Sequence, residues 1–109
     1  MNEMLKRIVR IAIICGTVIL GGVNLSFAYT AEVSAYTHTG GVMANGEYPY
    51  VGCVAADDLP LGTNILINGR HYVVKDRFGA GYSHKIDIFM DSYDEAISFG
   101  RQSLEVTVL

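Results

Sequence analysis

The chain has 109 residues, a formal net charge of −3 and a mean hydropathy of +0.30, a length that suits one domain. It contains no basic patch with interleaved aromatic side chains, so nucleic acid is not expected as a partner. An acidic domain of this size is better matched to a neutral or cationic substrate, such as a polysaccharide or a peptide.

The first 28 residues have the pattern of a secretory signal peptide. A basic start, "MNEMLKRIVR", precedes an apolar run at residues 11–23 and small residues at Ser26 and Ala28. The apolar run is 13 residues long, whereas a spanning helix needs roughly 20. We therefore expect cleavage after Ala28 and a secreted domain of residues 29–109, with membrane contact only through this segment before cleavage. An uncleaved N-terminal anchor is the alternative.

Removal of that segment changes the charge and the cysteine content. Five Lys and Arg and ten Asp and Glu remain, a net charge of −5. Cys15 is lost as well, which leaves Cys53 as the one cysteine and excludes an intramolecular disulfide. Cys53 lies in the apolar run "VGCVAA", where a buried small hydrophobic side chain is favoured over a reactive thiol.

Short β-strands dominate the predicted elements of residues 29–109. "TAEVSAYT" alternates Ala31, Val33 and Ala35 with more polar residues, as a half-buried strand does. The segment "THTGGVMANGEYP" is rich in Gly, Asn and Pro and is predicted to be a loop. "YVGCVAA" follows as a short apolar run, which indicates a fully buried strand.

The next feature is a predicted hairpin within "NILINGRHYVVKD". Asn68 and Gly69 lie between two β-prone runs, the strongest short-range hairpin signal. In the second arm, regular alternation predicts Tyr72, Val74 and Asp76 on one face.

A further strand, the one helix and a last strand complete the pattern. "KIDIFM" places Asp87 in mid-strand, on the face opposite to its isoleucines. In "SYDEAISFGR", Ser92 and Glu95 form a capping box, and Gly100 is predicted to end the helix in the left-handed conformation. The final "QSLEVTVL" alternates as a strand. About six short strands with one helix indicate a mainly β fold, a closed or nearly closed small barrel, which removes exposed edges.

Three acids are candidates for chemistry: Asp57 (or its neighbour Asp58), Asp76 and Asp87. Asp57 and Asp58 could instead serve the following turn, and Asp76 could cap a glycine-rich loop. Asp87 is harder to explain structurally because aspartate is depleted in strands, although a solvated outer face would accommodate it. The histidines lack the spacing of metal ligands, so no metal and no cofactor are expected.

The stretch from "VAADDLPLGT" to "SFGRQSLEVTVL", together with "SAYT" before a glycine-rich loop, resembles the three-aspartate (3D) domain family. The three motif acids of that family fall on Asp57, Asp76 and Asp87. The resemblance implies a six-stranded double-psi β-barrel, similar to the catalytic domain of membrane-bound lytic transglycosylase A and to expansins and barwin-like proteins. In related lytic transglycosylases the third-motif acid, here Asp87, is the general acid/base that cleaves peptidoglycan.

Two departures from the family pattern affect the site. The spacer before Pro-Leu-Gly is shorter than usual, which leaves the choice between Asp57 and Asp58 open. The second motif reads Asp-Arg-Phe-Gly-Ala-Gly, so that Arg77 could reshape the pocket rim or pair with one of the acids.

The function implied by the resemblance is that of a secreted cell-wall enzyme that cleaves the glycan strands of peptidoglycan. Four tyrosines could pack against sugar rings, or could simply belong to the core or rim: Tyr36, Tyr48, Tyr50 and Tyr82. Two alternatives remain open, a non-catalytic expansin-like glycan-binding module and a hydrolase in which paired carboxylates activate water.

Overall fold

The computed structural model describes residues 26–109. The basic start and the apolar run of the predicted signal peptide lie outside these residues. Within the described range, no helix combines the length and the apolar character that crossing a bilayer requires.

Six strands and one helix make up the described chain, which confirms the prediction of a mainly β fold with a closed barrel. The elements are β1 (Phe27–Tyr36), β2 (Cys53–Ala55), β3 (Asn64–Ile67), β4 (Arg70–Asp76), β5 (Lys85–Phe89), α1 (Tyr93–Phe99) and β6 (Gln102–Val108). β1 begins at Phe27, so the predicted domain start at residue 29 falls within a strand.

The barrel closes in the order β1-β5-β2-β4-β3-β6. Two of its pairs are parallel, β1 with β5 and β2 with β4, and the other four are antiparallel. Parallel neighbours need long connections, and the connections that link these strands carry the loops of the candidate site.

The hairpin between β3 and β4 is confirmed. Ile67 and Arg70 are paired across a two-residue turn, and Asn68 and Gly69 both have positive φ, 52° and 75°. Positive φ at both central positions is what a type I′ turn requires, and Asn-Gly meets that requirement at little cost.

The barrel interior is filled by apolar side chains that alternate along the strands. The buried cluster consists of Tyr29, Ala31, Val33, Val54, Ala56, Leu59, Ile65, Ile67, Tyr72, Val74, Ile86, Ile88, Val106 and Val108. A second, smaller cluster on the other side of the wall joins Met43, Cys53 and Phe89, with Tyr36 packed against it. Cys53 is fully buried there, which confirms the interpretation of a buried small hydrophobic side chain.

Regular alternation fails at the end of β4, and the predicted face of Asp76 is therefore wrong. Val54 is paired with Val74, as expected, but the next residue, Ala55, is paired with Asp76 instead of Lys75. This β-bulge adds one residue to β4. Asp76 therefore lies on the same face as Ala55, whereas Val74 points into the barrel core.

The helix α1 begins where the capping pattern predicts. The Ser92 hydroxyl accepts a hydrogen bond from the Glu95 backbone N–H at 3.3 Å. Gly100 ends the helix with a positive φ of 62°, but its ψ is −132°. That ψ lies outside the left-handed helical region, so the predicted conformation at Gly100 is wrong although the position is right.

Candidate active site

Four residues on four neighbouring strands lie in one row across the barrel wall. Ser34 of β1 is the register partner of Asp87 on β5. Asp87 is in turn the partner of Ala55 on β2, and Ala55 is the partner of Asp76 on β4. Register partners project to the same face of a sheet, so the bulge at Lys75 brings Asp76 and Asp87 to one surface.

Asp87 is a partly buried carboxyl at the middle of this row. The Ser34 hydroxyl donates a hydrogen bond of 2.9 Å to its Oδ1. Burial raises the pKa of Asp87 and the charge of Asp76 raises it too, whereas the Ser34 hydrogen bond and the charge of Arg101 lower it, with a net upward shift. A carboxyl in this setting holds its proton to higher pH than an ordinary aspartic acid.

Asp76 is fixed in orientation by three donors. Its Oδ1 accepts hydrogen bonds from the backbone N–H of Ala44 at 2.9 Å and of Arg77 at 2.8 Å. Its Oδ2 accepts the Tyr36 hydroxyl at 3.3 Å. Burial and the charge of Asp76 raise the pKa of Tyr36 well above its usual range, so Tyr36 keeps its proton and remains a donor.

Asp57 organises the glycine-rich loop between β4 and β5. Its two oxygens accept the backbone N–H groups of Phe78, Gly79, Ala80 and Tyr82 at 2.8–3.2 Å. Desolvation alone would raise the pKa of Asp57, but these four hydrogen bonds outweigh it and lower the pKa. Its carboxylate is therefore positioned to hold the loop in shape.

Asp58 differs from Asp57 in its partner. Its Oδ2 accepts the backbone N–H of His84 at 2.9 Å, two residues beyond the last donor to Asp57. The adjacent acids thus bind successive parts of one loop.

Arg77 contacts the segment that carries those acids and none of their carboxylates. Its Nη1 donates to the carbonyl of Ala56 at 2.6 Å and to the carbonyl of Leu59. Within residues 26–109 it forms no ion pair. The guanidinium thereby links the end of β4 to residues 56–59, on either side of Asp57 and Asp58.

An open cleft of about 200 Å³ lies beside Asp87. Its lining consists of Glu32, Ser34, Phe78, Tyr82, Lys85 and Arg101. Ser34 connects the cleft to Asp87 through its hydrogen bond. The Tyr82 ring contacts the Phe78 ring edge-on, with centroids 5.4 Å apart, and is 42% exposed, so an aromatic face borders the cleft.

The other candidate tyrosines lie elsewhere. Tyr36 is committed to Asp76 and to an edge-on contact with Phe89 at 5.5 Å. Tyr48 is 71% exposed, and Tyr50 contacts the Lys75 ammonium. Of the four, Tyr82 alone lines the cleft beside Asp87.

Sequence reasoning singled out Tyr82 and missed the other five residues that line the cleft: Glu32, Ser34, Phe78, Lys85 and Arg101. Alternation in "TAEVSAYT" and "KIDIFM" does put Ser34 on the outer face of β1, and Lys85 on the same face as Asp87. The pairing of β1 with β5, 53 residues apart at Ser34 and Asp87, could not be read from local pattern.

No known protein-family model matches the chain, and no curated protein matches it. The resemblance to 3D domains therefore depends on the motifs around Asp57, Asp76 and Asp87. Among residues 26–109, no group of three or more His, Cys, Asp or Glu side chains is arranged to hold a metal ion.

Proposed function

We propose that this protein is a secreted cell-wall enzyme of the 3D type that cleaves the glycan strands of peptidoglycan as a lytic transglycosylase. The proposal includes secretion through a signal peptide at residues 1–28 and a double-psi topology for the barrel. The closed six-stranded barrel with its two parallel pairs supports the fold part of this proposal.

The observation that carries the proposal is the environment of Asp87. It is a half-buried carboxyl with a raised pKa, on the same face as a second carboxyl two strands away, and it is hydrogen bonded to a residue that lines an open cleft. General acids need a pKa near the working pH, and burial with a neighbouring like charge is how carboxyls reach it.

In the proposed reaction, Asp87 first acts as an acid and then as a base. Its proton passes to the leaving glycosidic oxygen while the bond from that oxygen to the anomeric carbon breaks and positive charge develops on the sugar. The sugar's own hydroxyl then closes onto the anomeric carbon and returns its proton to Asp87. No water is consumed, so a single acid/base residue is sufficient.

The neighbours of Asp87 have distinct proposed roles. Asp76, oriented by its three donors, would help to keep Asp87 protonated and would stabilise the positive charge on the sugar. Asp57 would act by fixing the loop that carries Phe78 and Tyr82, and Tyr82 would stack on a sugar ring.

The test is the chemistry of the products that the purified protein releases from cell-wall sacculi. Mass spectrometry should find soluble fragments with anhydro ends. Fragments with reducing ends would indicate hydrolysis by an activated water instead. Co-sedimentation with sacculi and no soluble product after long incubation would indicate the expansin-like binding module, an outcome that the small size of the open cleft makes worth testing.

A further inference from the structure

The cleft beside Asp87 has a local charge opposite to that of the domain. Lys85 and Arg101 line it together with one acid, Glu32, whereas residues 29–109 carry a net charge of −5. Asp87 is neutral in the form that donates a proton. The cleft that is ready to react therefore carries a net positive charge, which attracts an anionic group on the substrate.

Other cations of the domain are engaged by the protein. Lys75 lies 3.4 Å from Glu47 and also contacts Tyr50. Arg77 donates to two backbone carbonyls. Of the five Lys and Arg side chains that follow residue 28, these two are therefore committed to structure.

Lys85 and Arg101 keep donors available to a ligand. The Lys85 ammonium lies 4.4 Å from the centroid of the Tyr82 ring and forms no ion pair within the described residues. Arg101 forms one contact to Glu32, between Nη1 and Oε1 at 3.3 Å. An ammonium has three N–H donors and a guanidinium has five, so both groups can bind a further carboxylate.

The spacing of these groups suits a substituted sugar. Lys85 precedes Asp87 by two residues on β5, so both project to one face, about 7 Å apart along the strand. The exposed ring of Tyr82 borders the same cleft. A sugar stacked on Tyr82 could thus present its glycosidic oxygen to Asp87 and a side substituent to Lys85.

We propose that the cleft selects glycans whose sugars carry carboxylate substituents, with Lys85 and Arg101 as the residues that bind the carboxylate. This inference rests on the proposed function and specifies its substrate: in peptidoglycan the carboxylates are those of the peptide stems. It also revises the expectation, drawn from net charge, of a neutral or cationic substrate.

Binding measured apart from cleavage tests this inference. The full-length protein with Asp87→Asn is titrated with a soluble peptidoglycan fragment whose peptide stems have free carboxyls, and with the same fragment after its carboxyls are converted to amides. We expect the acidic fragment to bind about fivefold more tightly or better. Lys85→Gln and Arg101→Gln should each remove most of that preference, and added salt should weaken it.

Arg70→Gln is the matched control, because it removes one positive charge from a different groove. Its preference for the acidic fragment should be unchanged. Equal affinity for the two fragments would overturn the inference. So would an equal loss of affinity for the acidic and the amidated fragment in the Lys85 and Arg101 variants. If neither the Asp87→Asn protein nor any of its further variants binds either fragment, both the inference and the proposed function fail. If the preference is present but sacculi yield no product, the inference stands and the catalytic proposal fails.

Discussion

Asp76 and Asp87 are both register partners of Ala55, one on each of the strands that flank it. Neighbouring strands are about 4.8 Å apart, so the two backbones are roughly 10 Å apart on one face. At this separation the charge of Asp76 adds to burial in raising the pKa of Asp87. A raised pKa at Asp87 is what acid catalysis by this carboxyl requires.

Removing the charge of Asp76 and removing the charge of Arg101 are expected to shift the pH profile of activity in opposite directions. Activity that needs protonated Asp87 declines as pH rises through its pKa. Asp76→Asn removes a charge that raises this pKa, so the decline should begin at lower pH. Arg101→Gln removes a charge that lowers it, so the decline should begin at higher pH. The measurement is kcat/KM against pH, with Arg70→Gln as a control that leaves the profile in place.

Shifts of the same sign in the Asp76 and Arg101 variants would contradict the charge environment assigned to Asp87. The position of the decline is the relevant quantity, because substrate affinity could alter the height of the profile.

Loss of the Ser34 hydroxyl should also move the profile. Its hydrogen bond to Oδ1 of Asp87 lowers the pKa of that carboxyl, so Ser34→Ala should raise the pKa and extend activity to higher pH. Ser34→Thr keeps a hydroxyl on a strand position that suits a β-branched residue and should leave the profile near that of the wild type. A downward shift in Ser34→Ala would show that the hydroxyl is not a donor to Asp87.

The stability of Asp87→Asn should depend on pH in a direction fixed by the raised pKa. The folded-state pKa of Asp87 lies above its unfolded value, so its favourable contribution is present at low pH and is lost as pH rises through the folded pKa. The variant has no charge to bury. Urea unfolding should find the two proteins similar in stability below about pH 4 and the variant more stable than the wild type at neutral pH. A variant that is less stable at neutral pH would argue against a burial cost at Asp87.

Asp57→Asn should loosen the glycine-rich loop. One oxygen then replaces two as the acceptor for four backbone N–H groups, and the charge is lost. Hydrogen exchange at residues 78–82 should become faster, by about tenfold or more for the least protected amides. Because the pKa of Asp57 is lowered in the fold, the wild-type loop should lose the same protection as pH falls through that value.

Asp58→Asn is the matched control for this prediction. Among residues 26–109, Asp58 accepts a hydrogen bond from His84 and from none of the N–H groups of residues 78–82, so exchange at residues 78–82 should stay near the wild-type rate. Equal effects of the two substitutions would contradict the assignment of the loop to Asp57.

The parts of the fold that are encoded locally could be predicted from the sequence. The Asn68-Gly69 turn needs two positive φ values that this dipeptide adopts readily. The start of α1 depends on the side chain of Ser92 and the backbone of Glu95, three residues away. Alternation of apolar residues likewise predicted the core faces of β1 and β5, because burial imposes a period of two on a strand.

The parts that depend on distant pairing could not be predicted. The bulge at Lys75 exists only relative to β2, so alternation along β4 alone assigns Asp76 to the wrong face. Ser34 and Asp87 meet because β1 and β5 are parallel neighbours, a choice with no short-range signal. The two hydrogen bonds from Arg77 to backbone carbonyls also join residues that are distant in sequence, so local pattern does not predict them.

The decisive measurement of the proposed role of Asp87 is the release of soluble fragments from sacculi by wild-type protein and by Asp87→Asn, compared at equal concentration. Asp94→Asn is the control, an exposed acid in the first turn of α1. We expect anhydro-ended fragments from the wild type and from the control, and a rate of release lower by about 10²–10⁴-fold for Asp87→Asn. Release by Asp87→Asn at the wild-type rate would show that Asp87 is not the general acid.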